Sequence, residues 1–200
     1  MADLQIRPAT ADDVPAMLDL IFEHGPNDWN FLPEGPVREH FQGIAEGTVW
    51  ALVAVDGDEL RGLVTFHESA AFGRFQHEGR TRHAYIAEAT VHRGEAGRGL
   101  GTRLLRAAIT DLLARGLPDI YIERHEENAG SAGMMRKAGF DELETFADPQ
   151  RRPNGSQRTT ICYLDARTGA ARASPSPARA CRAASPACSS TWRFQPSSST

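Results

Sequence analysis

The chain has 200 residues, 40% of them hydrophobic and 24% charged, which is enough to bury one core and too little for a large multidomain enzyme. Its formal charge of −4 hides an asymmetry, because no acid follows Asp165 and residues 1–165 carry 17 bases against 26 acids. An acidic body is a poor match to nucleic acid, so no nucleic-acid partner is expected. Cys162, Cys181 and Cys188 form neither a disulfide framework nor a set with metal-ligand spacing. No metal is expected. No stretch approaches the roughly 18 apolar residues of a membrane span, and the first residues lack a signal-peptide pattern. A cytoplasmic protein without a membrane partner is therefore expected.

Leu4 to Arg7 alternate into Pro8 as a short strand. Thr10-Ala11-Asp12-Asp13 then offers an N-cap and first-turn acids to an amphipathic helix through Val14, Met17, Leu18 and Ile21, stopped at Gly25-Pro26. Residues Asn27 to Gly35 read as a loop with Trp29, Phe31 and Leu32. Pro36 then opens a second helix carrying Val37, Phe41 and Ile44. Thr48–Val55 and Glu59–Phe66 are β-rich runs joined by Asp56-Gly57, a strong hairpin signal. A polar connection from Glu68 to Arg80 precedes a strand over about Arg82–Val91, and His67, His77 and His83 read as surface residues without zinc spacing. Beyond a glycine cluster come a helix over Gly99–Arg115, a strand over Ile120–Arg124, a helix over Asn128–Ala138 stopped by Gly139, and strands over Phe140–Phe146 and Arg158–Leu164. Residues 1–165 thus predict one α/β domain with a mixed sheet. Residues 166–200 hold nine Ala, eight Ser, five Arg and four Pro, and a disordered tail is expected there.

The informative segment is Val91-His92-Arg93-Gly94-Glu95-Ala96-Gly97-Arg98-Gly99-Leu100-Gly101-Thr102, between a strand and a helix. Glycines there let backbone N–H groups at a helix start approach an anion, and the helix dipole adds to the attraction. A P-loop would need a lysine, and the chain's only one is Lys137. A dinucleotide fingerprint would need glycine where Thr102 stands. Neither common nucleotide pattern fits.

Gly97-x-Gly99-x-Gly101 after a strand resembles the acetyl-CoA signature of the GNAT superfamily of N-acetyltransferases, Gln/Arg-x-x-Gly-x-Gly/Ala, with Ala96 in place of the leading Gln/Arg. Asn128, Ser131, Met134, Met135, Lys137, Gly139 and Phe140 stand at the spacings of a second GNAT pattern, Asn-x-x-Ala/Ser, an apolar pair, then x-Lys-x-Gly-Phe. The resemblance covers Leu4 to Leu164. It implies a mostly antiparallel sheet of six to seven strands, flanked by about four helices and splayed between the fourth and fifth strands. It also implies acetyl-CoA as cosubstrate, direct transfer of acetyl to a primary amine of a small molecule, and a homodimer as a frequent assembly. A non-catalytic acyl-CoA-binding or sensing module of the same fold is the alternative.

The cofactor residues that this resemblance implies are Thr90 and Val91 on the splayed strand, Ala96, Gly97, Arg98, Gly99, Leu100, Gly101 and Thr102 in the turn, and Asn128 and Ser131 on the later helix. Met135 occupies the position where the family often has a tyrosine assisting the leaving thiolate; a thiol with a pKa of about 8.5 can depart as thiolate at modest cost, Tyr121 or Tyr85 could substitute, and no general acid is assigned. Glu88 interrupts an otherwise apolar strand just before the turn and is the first candidate for the base, since partial burial raises a carboxyl pKa. His125 at the end of the next strand is the second, and water-mediated proton removal is a third route. Trp29, Phe31 and Arg124 are candidate acceptor-binding residues, and Arg151-Arg152 with Asn154-Gly155-Ser156 also lie where an acceptor site would be shaped.

Overall fold

A computed structural model describes residues 4–75 and 82–168. Of the expected tail only Ala166–Thr168 are described, as a short 3-10 turn; the rest of it and His77 lie outside these residues. Strand β1 (Gln5–Pro8) leads through a short 3-10 turn into α1 (Val14–His24), and α2 (Glu34–Glu46) follows. Then come β2 (Trp50–Asp56), β3 (Glu59–Ser69), β4 (His83–Val91), α3 (Leu100–Ala114), β5 (Asp119–His125), α4 (Ala129–Ala138), β6 (Asp141–Ala147) and β7 (Arg158–Asp165). The second helix starts two residues before Pro36, which is tolerated because first-turn N–H groups have no intrahelical acceptor. Strand β3 runs three residues past Phe66 because Glu68 and Ser69 pair with Ala84 and His83.

The sheet order is β1-β2-β3-β4-β5-β7-β6. All neighbours are antiparallel except β4 and β5. Those two pair only through Ala84–Ile120, Tyr85–Tyr121 and Ile86–Ile122, so Ala87–Val91 and Glu123–His125 diverge. The splay that the resemblance implies is thus present, and alternate peptide groups of β4 lose their ladder partners at that point.

Side-chain alternation sorts the core into two layers. Leu52, Ala54, Val64, Phe66, Ala84, Ile86, Ile120 and Ile122 pack against Leu100, Leu104, Leu105, Ala108 and Leu112 of α3. On the other face Ala51, Val53 and Leu63 pack against Met17, Leu20 and Ile21 of α1 and Val37 and Phe41 of α2. A third cluster, Phe72, Tyr121 and Ile161, continues that second face beyond the helices. His83 belongs to it rather than to the surface: it is 1% exposed, its Nε2 accepts the Phe72 N–H at 3.2 Å, and its ring lies edge-on to Tyr121. No helix among the described residues is long and apolar enough to cross a membrane.

Candidate active site

The glycine turn is open toward its surroundings. Gly97 and Gly99 hold φ of 75° and 83°, a left-handed conformation that suits glycine, and a Cβ at either would meet no atom within 4 Å. The N–H groups of Gly97, Gly99, Leu100, Gly101 and Thr102 donate to no backbone acceptor among the described residues. No side chain caps the start of α3 either. The site therefore presents a cluster of unshared donors at the positive end of a 15-residue helix. Gly101 has a different reason: a Cβ there would stand 2.5 Å from Met134 Sδ, so it permits α4 to pack closely on α3. Leu100 is buried in the α3-side core and anchors the turn, whereas Ala96 follows a short 3-10 turn and Arg98 is exposed with Glu95 at 3.6 Å.

Glu88 reaches the splay through an irregularity in the strand. Thr65 pairs with Glu88 but Phe66 pairs with Ile86, so Ala87 is an extra residue in β4. A bulge of this kind shifts the alternation by one. Ile86 and Ala89 consequently both face the α3 layer, and Glu88 turns to the α1/α2 face alongside Thr65. There its N–H donates to Thr65 Oγ1 at 3.2 Å, and Thr65 Oγ1 lies 2.8 Å from His40 Nε2. The Glu88 carboxyl is half-buried, and desolvation pushes its pKa up to about 7 against the opposing charge of Arg152. Burial, helped by neighbouring His67, brings His40 down to about 4. The Oγ1 of Thr90, on the same face, is buried without a partner.

Beside Glu88 lies an ionic cluster that joins β4, β5 and the β6–β7 loop. Tyr85 donates its hydroxyl to Glu123 Oε2 at 3.2 Å, and Arg151 donates to the same oxygen at 2.6 Å and to Asp148 Oδ2 at 2.7 Å. Burial first, and then the charge of Glu123, hold the Tyr85 phenol well above its ordinary pKa. Thr159 donates to Asp148 Oδ2 at 2.7 Å and accepts from Arg152 Nε at 3.1 Å. Arg152 has no carboxylate within ion-pair distance among the described residues.

The other sequence candidates separate by strand face. Tyr121, Glu123 and His125 alternate onto the same face as Tyr85, but His125 is 1% exposed and used on both sides. Its Nδ1 accepts the Glu127 N–H at 3.1 Å, and its Nε2 meets the Asn154 carbonyl at 3.0 Å, which places the proton on Nε2. No lone pair remains for a substrate proton, so His125 is a tie between β5 and the β6–β7 loop rather than a second base. Trp29 packs on it with ring centroids 4.9 Å apart. Gly155 is required at that point, since a Cβ would come 2.6 Å from the Trp29 ring and 2.1 Å from Glu127 Oε2. Asn154 Nδ2 also donates to the Asp28 carbonyl at 3.2 Å, closing the loop before α2 onto the loop before β7.

Phe31 is 55% exposed. Arg124 points to the opposite face, toward α4: it donates to the His125 and Glu126 carbonyls and to Glu142 Oε1, and an acceptor beside Glu88 is out of its reach. Asn128 Oδ1 accepts the Ser131 N–H at 2.9 Å, so this pair caps α4. Met135 is buried in the α3-side core and supplies no hydroxyl, while the Tyr121 hydroxyl donates to the Phe75 carbonyl at 3.4 Å.

His40, Thr65 and Asp148 are site residues that reading the sequence misses. His40 carries a readable signal, since Val37, His40, Phe41 and Ile44 form one i, i+3, i+4, i+7 stripe and place a polar ring on the buried face of α2. Thr65 carries none.

Comparison with known proteins bears on the family and the fold. Residues 14–140 match the model of the acetyltransferase (GNAT) family. The GCN5-related N-acetyltransferase 6, chloroplastic, of Arabidopsis thaliana is 28% identical over 78 residues, 39% of this chain and 27% of that protein. The N-alpha-acetyltransferase 30 of Schizosaccharomyces pombe is 26% identical over 91 residues, 46% of this chain and 57% of that one. The matches thus span less than two thirds of either relative's length. Arabidopsis thaliana NAA60 in complex with acetyl-CoA has a similar fold, with a TM-score of 0.68 at 15% identity over 81% of this chain and 98% of that one.

Proposed function

Because the chain belongs to the GNAT acetyltransferase family, we propose that it transfers the acetyl group of acetyl-CoA to the primary amine of a small molecule by direct attack. The observation that carries this reading is the conjunction of unshared N–H groups at Gly97 and Gly99–Thr102 with a half-buried carboxyl, Glu88, at the opening of β4 from β5. The turn fits a diphosphate because its donors are free, its glycines leave open space, and α3 adds its dipole. The N–H groups of Gly97, Gly99, Leu100, Gly101 and Thr102 would hold that diphosphate, whereas those of Ala96 and Arg98 are donated to the Arg93 and Glu95 carbonyls, leaving Arg98 its exposed side chain beside it; backbone groups of Thr90 and Val91 would hold the pantetheine arm. Asn128 and Ser131 contribute by setting the start of α4. Acetyl-CoA supplies a thioester carbonyl open to an amine and a thiol of modest basicity as leaving group.

Glu88 is the proton acceptor in this reading. A carboxyl at about 7 is half ionised at neutral pH and still basic enough to take a proton from an amine under attack. Its position is secured through its own N–H on Thr65, which His40 in turn orients. The small-molecule reading draws support from the way Asn154 and Trp29 close the two loops flanking this face against each other, since an extended peptide would need a continuous channel there. One relative is named an N-alpha-acetyltransferase, so the assay must include N-terminal peptides as acceptors.

The test is release of thiol from acetyl-CoA with a panel of small amines and N-terminal peptides, alongside calorimetry with acetyl-CoA alone. Acceptor-dependent release supports transfer. Heat of binding with no release for any acceptor would leave only an acyl-CoA-binding module, a reading that Met135 favours by its lack of a hydroxyl.

A further inference from the structure

Arg151 and Arg152 are neighbours in sequence and opposites in the fold. Arg151 is held between Glu123 Oε2 and Asp148 Oδ2, and both carboxylates are thereby committed to it. Arg152 is half-buried, anchored only through its backbone N–H on the Asp148 carbonyl and its Nε on Thr159 Oγ1. Its terminal nitrogens, with the four N–H groups of a guanidinium end, meet no protein acceptor among the described residues. Burying such a cation without an anion is unfavourable, and the loss of hydration pulls its pKa down. Among the described residues the remaining acid near it is Glu88, whose carboxyl feels its charge, and no ion pair joins the two. Of the other groups facing this space, Tyr85 is protonated on Glu123, His40 is uncharged at neutral pH, and His67, whose ring lies 5.7 Å from that of Tyr85, meets the Glu68 carbonyl through Nδ1 at 2.9 Å.

The face thus offers a carboxyl that would receive an amine and, near it but not touching it, a cation with an open fork. A zwitterion, which carries an amine and a carboxylate, complements both. We infer that the acceptor is an amine bearing a carboxylate close to the nitrogen, as in an α-amino acid, and that Arg152 binds that carboxylate while Glu88 faces the amine. This rests on the acetyltransferase reading and narrows it, because a peptide N-terminus has an amide where the carboxylate would be. Guanidinium geometry suits a planar carboxylate through two parallel hydrogen bonds, which also fixes the direction of the amine.

The experiment compares L-α-amino acids with their α-carboxamides and with tripeptides of the same first residue, in the full-length protein with acetyl-CoA. The amino acids are expected to exceed the amides in kcat/KM by roughly 10- to 100-fold, the usual discrimination for hydrogen bonds to a charged group. Calorimetry on the CoA-bound protein should show the same preference as binding, independent of turnover. R152Q should bring the acid-to-amide ratio to near one, and R152K, which keeps the charge and loses the fork, should leave an intermediate ratio. Because the wild-type ratio is itself decisive, a poorly folded variant does not remove the test. Amides or peptides that serve as well as the acids overturn this inference and leave acetyl transfer standing. Absence of turnover with every amine overturns both.

Discussion

Replacing Glu88 by Gln is the most informative perturbation, because it acts on stability and activity in opposite directions. Glu88 has an ordinary pKa of 4.5 and stands at about 7 in the fold. Between those values the folded chain binds a proton that the unfolded chain has already released, so stability falls as pH rises through the window and is level above it. A rise of this size corresponds to about 3 kcal/mol of destabilisation once Glu88 is ionised. Gln keeps the shape without the charge. E88Q should therefore match the wild type near pH 5 and exceed it by about 3 kcal/mol at pH 8, or about 6–12 °C in Tm. Urea denaturation at the two pH values measures this directly. Turnover should move the other way. Wild-type kcat is expected to rise with pH through a midpoint near 7 as the base ionises, and E88Q should lose that step together with about 10²- to 10⁴-fold in rate. A stability difference between the two proteins that stays constant from pH 5 to pH 8 would show that Glu88 is not held uncharged, and the argument for a base poised near neutrality would fail with it.

In the turn, G99A places a Cβ at φ 83° in otherwise open space, so it should cost about 1 kcal/mol in backbone strain and weaken acetyl-CoA binding measured by calorimetry. G101A instead drives a Cβ onto Met134, and a double-mutant cycle with M134A should recover about 1 kcal/mol that the single changes do not predict by addition. H125A removes the tie to Asn154 and the support under Trp29. It should lower stability by about 1–3 kcal/mol in urea while the pH midpoint of kcat stays in place. A midpoint that moved would restore His125 as a proton acceptor.

Much of the fold is legible because it is set locally. Asp56-Gly57 makes a hairpin whatever surrounds it, the apolar stripes of α1 and α3 name their buried faces, and Gly97 and Gly99 mark a turn that needs left-handed backbone. Glu88 was also visible as a polar break in an apolar strand. Its direction was not, because that depends on Ala87 being left over when β4 aligns with β3, and one unpaired residue exchanges the two faces of a strand. The same alternation sends Arg124 to α4 and His125 to the Trp29 side, although they are adjacent in sequence. His83 is polar in composition and buried in fact, since the aromatic cluster over it is assembled from three separate segments. Arg151 and Arg152 cannot be told apart in the chain. Only the arrival of Glu123 and Asp148 beside one of them leaves the other with an open charge, and that pairing requires β7 to insert between β5 and β6. The residue order of this protein determined its elements and the glycine turn, where each signal lies within a few positions. Tertiary structure decided which charged groups share a face, because strand register and ion pairing join residues that are distant in the chain.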